Sequence, residues 1–318
     1  MPRRAQPPAD MADIDQPSQP RGEIYDLGYR HYEGPRLGRG YAIRSLMVLS
    51  VRNTFGLGRG TLPKVLAFGL AAIAMLPAIG TVIVGAVAGS DFEFVKYEDY
   101  FGLIQVVIVL FVAAMASDLV GNDRKNNTLP LYFSRPIERD DYVLAKIAAL
   151  ALALLALTLV PQLLVFIGNW LGASDSTGWF ADNGADLVRI IASSTLVSLQ
   201  LATIGLSIAI FTTRRAFAMI SVLAALLISF IAASILVSLL DPGWAAFTMV
   251  LSPLHVMNAT TFVIFDALPA VTAQSAEGEV ADQVAYGDLP AIAWIGALAA
   301  QTGLALLVAV RRYRSAAL

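Results

Sequence analysis

Six stretches of this sequence are apolar enough and long enough to cross a lipid bilayer: residues 65–88, 101–120, 142–171, 187–211, 216–240 and 289–310. A hydrocarbon core needs about 20 such residues as a helix. A backbone without water to bond must satisfy itself within the segment, which favours helix. The expected fold is therefore an all-α polytopic membrane protein with six transmembrane helices. Composition agrees: 57% of the 318 residues are hydrophobic and 14% are charged, with mean hydropathy +0.67. Soluble domains carry about 25% charged residues, so a water-soluble fold could not hide this much apolar surface. The third run exceeds what a span needs, and it either begins as an extension outside the bilayer or tilts. Pro77 and Pro161 fall inside runs and are expected to bend them.

The charges are sorted by loop. Arg3, Arg4, Arg21, Arg30, Arg36, Arg39, Arg44, Arg52, Arg59 and Lys64 precede the first run. Arg124, Lys125, Arg135, Arg139 and Lys146 lie between the second and third, Arg214 and Arg215 between the fourth and fifth, and Arg311, Arg312 and Arg314 after the sixth. The alternate loops hold only Lys96 and, at a span edge, Arg189, and are otherwise acidic, with Asp91, Glu93, Glu98, Asp99, Asp175, Asp182 and Asp186 among them. The positive-inside rule then places both termini in the cytoplasm. Residues 1–22, broken by five prolines, read as a disordered cytoplasmic tail and not as a signal peptide. Residues 23–64 read as a cytoplasmic and interfacial segment, 65–310 as the six-helix domain, and 311–318 as a cytoplasmic end.

Two further segments have structure of their own. Residues 40–55 set Arg44 and Arg52 beside Ile43, Leu46, Met47 and Val51, the pattern of an amphipathic helix lying in the headgroup region. Residues 242–265 are apolar but broken at Pro253. They are expected to form a pair of short helices, re-entrant from the outer side between spans five and six or packed there as a cap.

Several chemistries are excluded. Cysteine is absent, and His31 and His255 are the only histidines, so disulfides and a His/Cys metal centre are ruled out. The glycines at 56, 58 and 60 fit no phosphate-binding motif and are expected to end the interfacial helix instead. Ser252 and His255 lack an arranged acid, so a capping serine and a structural histidine are expected. No carboxylate lies mid-span, which disfavours a proton-driven pump. The mid-span polar groups are Gln162, Gln200 and Gln301, which either bond between helices or line a substrate path. The small residues Ser194, Ser198, Ala202, Gly205 and Ala209 share one face of the fourth run and permit close packing, within the chain or between two copies.

The connector 122–146, NDRKNNTLPLYFSRPIERDDYVLAK, is the most informative polar stretch. Thr128 can cap a short helix with Pro130 in its first turn. Leu129, Leu131, Tyr132 and Phe133 give that helix apolar knobs, Ser134-Arg135-Pro136 breaks it, and Glu138 or Asp140 starts the next helix. Exposed leucine and aromatic residues beside Arg124, Arg135 and Arg139 argue for a protein contact.

This connector resembles a signature of permease subunits of ABC-2-type transporters, through Asn127-Thr128-Leu129, Tyr132-Phe133-Ser134-Arg135-Pro136-Ile137, Arg139, Tyr142 and Lys146. The run Ile24-Tyr25-Asp26-Leu27-Gly28-Tyr29-Arg30-His31-Tyr32-Glu33-Gly34-Pro35-Arg36 is similar to a stretch before the first span in some bacterial members. Glu138 departs from the small polar residue common there. The resemblance implies a coupling helix in this loop, with Arg124, Thr128, Leu129, Leu131, Tyr132, Phe133, Arg135, Pro136 and Arg139 meeting a cleft on a separate ABC ATPase subunit. It implies a second permease chain, identical or homologous, in a bacterial cytoplasmic membrane, with export the expected direction. ATP and magnesium belong to the partner ATPase, and no cofactor, catalytic residue or nucleic acid is expected on this chain. A membrane scaffold recruiting a cytoplasmic partner through the same loop, and an intramembrane enzyme centred on His255, are the rival readings.

Overall fold

A computed structural model describes residues 34, 37–58, 60–88, 95–125, 132, 134, 137–212, 214–240, 242–268 and 286–315. Residues 37–318 form one compact unit. The expected tail, the 24–36 motif apart from Gly34, most of the 126–136 connector and the loop 269–285 lie outside the described residues.

The described elements are all helical. They are α1 Arg39–Thr54, α2 Thr61–Ala88, α3 Tyr100–Leu103, α4 Gln105–Lys125, α5 Arg139–Gly172, α6 Ser176–Ala209, α7 Arg215–Leu239, α8 Pro242–Met249, α9 Pro253–Ile264 and α10 Ala291–Ser315. Local chemistry sets their ends. Gly56 and Gly58 adopt positive φ after α1, and a Cβ on Gly56 would sit 2.7 Å from the Lys64 nitrogen, so only glycine turns the chain there. The Asp175 carboxylate accepts from the Gly178 N–H at 3.1 Å and starts α6 well before its apolar run. The Glu138 N–H donates to Asp141 Oδ2 at 3.1 Å at the head of α5. Pro253 opens α9, where its missing N–H costs nothing.

Among the described residues, five helices are long and apolar enough to cross a membrane: α2, α5, α6, α7 and α10. The run 101–120 is divided. Its main helix, α4, covers Gln105–Lys125, and the apolar part, Gln105–Gly121, is about 25 Å long at 1.5 Å per residue. It is preceded by α3, and Ile104 between them leaves helical geometry. Backbone bonding nevertheless continues: the Ile104 N–H donates to Tyr100 O at 3.1 Å and the Ile108 N–H to Ile104 O at 3.0 Å. Both α2 and α5 run through their prolines as single helices.

The helices divide into inner and outer sets. In the apolar stretches of α5 and α6, 56% of residues are buried, against 22% in α2 and 17% in α7 and α10. The inner helices have small residues where they meet. Ser194, Ser198, Ala202, Gly205 and Ala209 are all buried, so this stripe packs within the chain. Ser198 and Thr158 bring their hydroxyls to 3.3 Å across α6 and α5, and a Cβ on Gly205 would overlap Val112 of α4. A Cβ on Gly168 of α5 would stand 2.6 Å from Val82 of α2. The Tyr100 hydroxyl ties α3 to α2 by donating to Ala74 O at 2.6 Å.

The two short segments form where expected. α1 turns Leu46, Ser50 and Thr54 inward, with Ile43 and Met47 packed on the main core, and lies against α5 and α4. Tyr41, Val48 and Leu49 face outward. Pro253 separates α8 from α9. Trp244, Phe247 and Leu251 of the first part are exposed, whereas α9 packs on α6, α7 and α10 with most of its side chains buried.

Candidate functional site

The connector between α4 and α5 is held at its base by a buried polar group. Lys146 Nζ, four residues beyond Tyr142 on α5, lies 2.7 Å from Asp123 Oδ2 on α4. The Tyr142 hydroxyl donates to the same oxygen at 2.6 Å. The side chains of Lys146 and Asp123 are only 3% and 12% exposed, so the ions screen each other in a low-dielectric site. The residues of the helix ends meet because 142 and 146 are one turn apart and share a face. Tyr132 from the connector packs on the Tyr142 ring at 5.8 Å, and Tyr142 packs on Tyr313 of α10 at 5.3 Å.

Around this staple, the first turn of α5 gathers three elements. Arg39 of α1 donates from Nε and Nη2 to both oxygens of Asp141 at 2.9 Å, and from Nη1 to Glu138 at 2.6 Å. Arg314 of α10 makes a forked contact with Asp140, with Nε at 2.9 and 3.1 Å from the two oxygens. Arg139 donates to the Tyr313 and Arg314 carbonyls at 3.2 and 2.9 Å, satisfying acceptors in the last turn of α10. The Arg39 hydrogen bond holds the Asp141 carboxyl below the usual carboxylate range, and the Arg314 hydrogen bond does the same for Asp140. Both carboxylates precede the apolar run of α5, and their arginine partners are half or more exposed, so these pairs orient more than they stabilise. Nearby, Arg215 Nε at the start of α7 pairs with Asp118 Oδ1 of α4 at 2.6 Å.

Of the residues expected in the docking element, Tyr132 and Arg139 are described, and both are half-buried and make the contacts given above. Thr128, Leu129, Leu131, Phe133, Arg135, Pro136 and the Arg124 side chain lie outside the described residues. Tyr142 and Lys146, matched to the signature's far end, hold the base of the connector together. The reading of the sequence missed Asp123 and Arg39 as anchors. The available signal was Lys146 itself: a lysine one turn into the apolar run 142–171 needs a counter-charge, and Asp123 lies just past the preceding run.

The amides separate into two places. Gln200 Nε2 donates to Gln301 Oε1 at 2.9 Å and to Pro253 O at 3.2 Å, and Gln301 Nε2 donates to Val250 O at 2.8 Å. This set ties α6, α10 and the α8–α9 link. Gln162 stands apart on α5, fully buried, and neither amide atom meets a hydrogen-bond partner among the described residues. His255 is buried, stacked on Phe230 at 4.4 Å, with Nε2 at 3.2 Å from the Ser234 hydroxyl.

A trough runs along α6 and α10. One part, about 380 Å³, is lined by Ile204, Phe211, Leu251, Gln301, Leu304 and Val308. The other, about 770 Å³, shares Phe211, Leu304 and Val308 and ends at Arg311 and Arg312. Among the described residues no group of three or more His, Cys, Asp or Glu side chains is placed to hold a metal ion.

A search of curated proteins gave no match. The family model described as "ABC-2 family transporter protein" matches residues 10–311, nearly the whole chain, including both the connector and the helices around the trough. With five membrane-length apolar helices and this match, the chain is a multi-pass membrane permease that belongs to the ABC-2 transporter family.

Proposed function

We propose that this permease is the membrane-spanning subunit of an ATP-driven exporter in a bacterial cytoplasmic membrane. Two permease chains work with a separate ABC ATPase, which holds ATP and magnesium and docks on the connector after α4. Leu129, Leu131, Tyr132 and Phe133 supply apolar anchors there, and Arg124, Arg135 and Arg139 the surrounding charge. Both termini are cytoplasmic, and α3 with α4 forms the sixth span, about 33 Å from Tyr100 to Gly121.

The observation that carries this reading is the footing of the connector. Asp123, Tyr142 and Lys146 close its base, while Glu138, Arg139, Asp140 and Asp141 bind α1 and α10. A displacement applied by a partner therefore reaches α1, α4, α5 and α10 together, as rigid-body switching requires. The α6–α10 trough supports an apolar or amphipathic substrate, and Gln301 and Gln200, with buried Gln162, are the polar groups nearest such a path. The placement of His255 between Phe230 and Ser234 supports a structural role for it.

The test is Phe133→Ala combined with Arg135→Ala. Interface anchors of these types cost about 2 kcal/mol or more when truncated. The variant inserts normally and loses ATPase capture, or uncouples ATP turnover from substrate. A double variant that captures the ATPase and couples like wild type would remove the docking assignment and move it to residues 212–215.

A further inference from the structure

Lys96 and Arg189 break the charge rule, as the basic residues of otherwise acidic loops. They are far apart in sequence, yet they line the same cavity, at the end of the bundle opposite the connector. The cavity holds about 230 Å³ and is bounded by Thr81 of α2, the 95–98 turn, Asn169 of α5, Trp179, Asn183, Asp186 and Arg189 of α6, and Phe265.

Its frame is built from packed aromatic residues. Tyr97 stacks on Phe265 at 6.0 Å, and Trp179 meets Phe166 edge-on at 5.3 Å. Asn169 Nδ2 donates to the Tyr97 hydroxyl at 3.3 Å, and Asn183 Nδ2 to Trp179 O at 2.9 Å. Four segments are thus fixed around the space before any ligand arrives, as a preformed site requires.

The spare bonding capacity in this cavity is cationic. Asp186 is taken by Arg189 Nη1 at 2.9 Å, and Glu98 also has a partner within the protein. Lys96 is exposed; its charge acts through space on the Asp99 carboxylate, but it makes no ion pair among the described residues, and Arg189 uses one nitrogen and keeps the others of its fork. An ammonium and a guanidinium fork facing one small polar space recognise a tetrahedral oxyanion. The volume is below the usual range for a drug-sized ligand and suits a headgroup, not a whole lipid. Tyr97 and Trp179 are the residue types that sit at the level of lipid headgroups.

The geometry points to a binding site for a phosphate-ester group between Lys96 and Arg189, carried by a phospholipid headgroup or by a soluble phosphate ester. The site is separate from the connector and does not depend on how the ATPase docks.

Trp179 in the wall provides the readout. The full chain in non-ionic detergent is titrated with dihexanoyl phosphatidylglycerol, with glycerol phosphate and with glycerol, following tryptophan emission, with Trp179→Phe as the signal control. Saturable binding of a phosphate compound, weakened about tenfold in Lys96→Gln and regained in Lys96→Arg, is expected. Binding of both phosphate compounds means the headgroup alone is recognised, and binding of the lipid alone means its chains contribute; either supports the site. Glycerol binding as tightly, an unchanged affinity in Lys96→Gln, or no saturable binding overturns it. Lys96 is exposed, so its variants leave the fold intact, and Arg189→Lys checks the second cation without stranding Asp186.

Discussion

Lys146 and Asp123 face each other at 2.7 Å across the root of the α4–α5 connector, both nearly excluded from solvent. Such a pair contributes little net stability when whole and is costly when halved, because the surviving ion has been taken out of water. It acts as a registry lock between the two helices that the connector joins.

Lys146→Met removes the ammonium from the buried Asp123 carboxylate. The expected loss is about 3–5 kcal/mol, seen as a lower thermal unfolding midpoint in detergent. Adding Asp123→Leu recovers much of it. Equal losses in the single and double variants would contradict the lock.

Acid should loosen the first turn of α5. The Asp140 and Asp141 carboxyls are held below their ordinary value by Arg314 and Arg39. Their contribution is fully present above the unfolded-state value of about 3.9 and is lost as pH falls through the lowered folded-state values. Hydrogen exchange in α1 and at the end of α10 is expected to rise over that window. Asp141→Asn should remove the pH response in α1 and Asp140→Asn that in α10; persistence of both responses would place the cause elsewhere.

Gly205 lets α6 approach Val112 of α4 to the limit of close packing. Gly205→Leu must separate two inner helices, and overpacking of this kind costs about 1–3 kcal/mol. Gly205→Ala is milder. Monodisperse yield on size exclusion ranks wild type above alanine above leucine; a leucine variant equal to wild type would show that the two helices can part freely.

Orientation is measured with cysteines, which the natural sequence lacks. Ser176→Cys and Ser275→Cys are expected to react with an impermeant thiol reagent on intact cells, and Ser18→Cys and Ser315→Cys only after permeabilisation. Labelling of Ser18→Cys on intact cells would invert the topology.

Apolar length and charge asymmetry are properties of contiguous residues, so the sequence alone determined the helical class, the long runs that became α2, α5, α6, α7 and α10, the α1 helix with Leu46 and Met47 inward, and the break at Pro253 between α8 and α9. Contiguity was insufficient where a polar cap extended a helix, as Asp175 does for α6, or where a run was divided, as at Ile104. The meetings of Gln200 with Gln301, Lys146 with Asp123, Arg39 with Asp141 and Lys96 with Arg189's cavity were decided only by the tertiary structure. Each depends on which helices become neighbours and in what register, and that is set by close packing at small residues such as Gly168 and Gly205, whose effect is felt only when the opposing surface is in place.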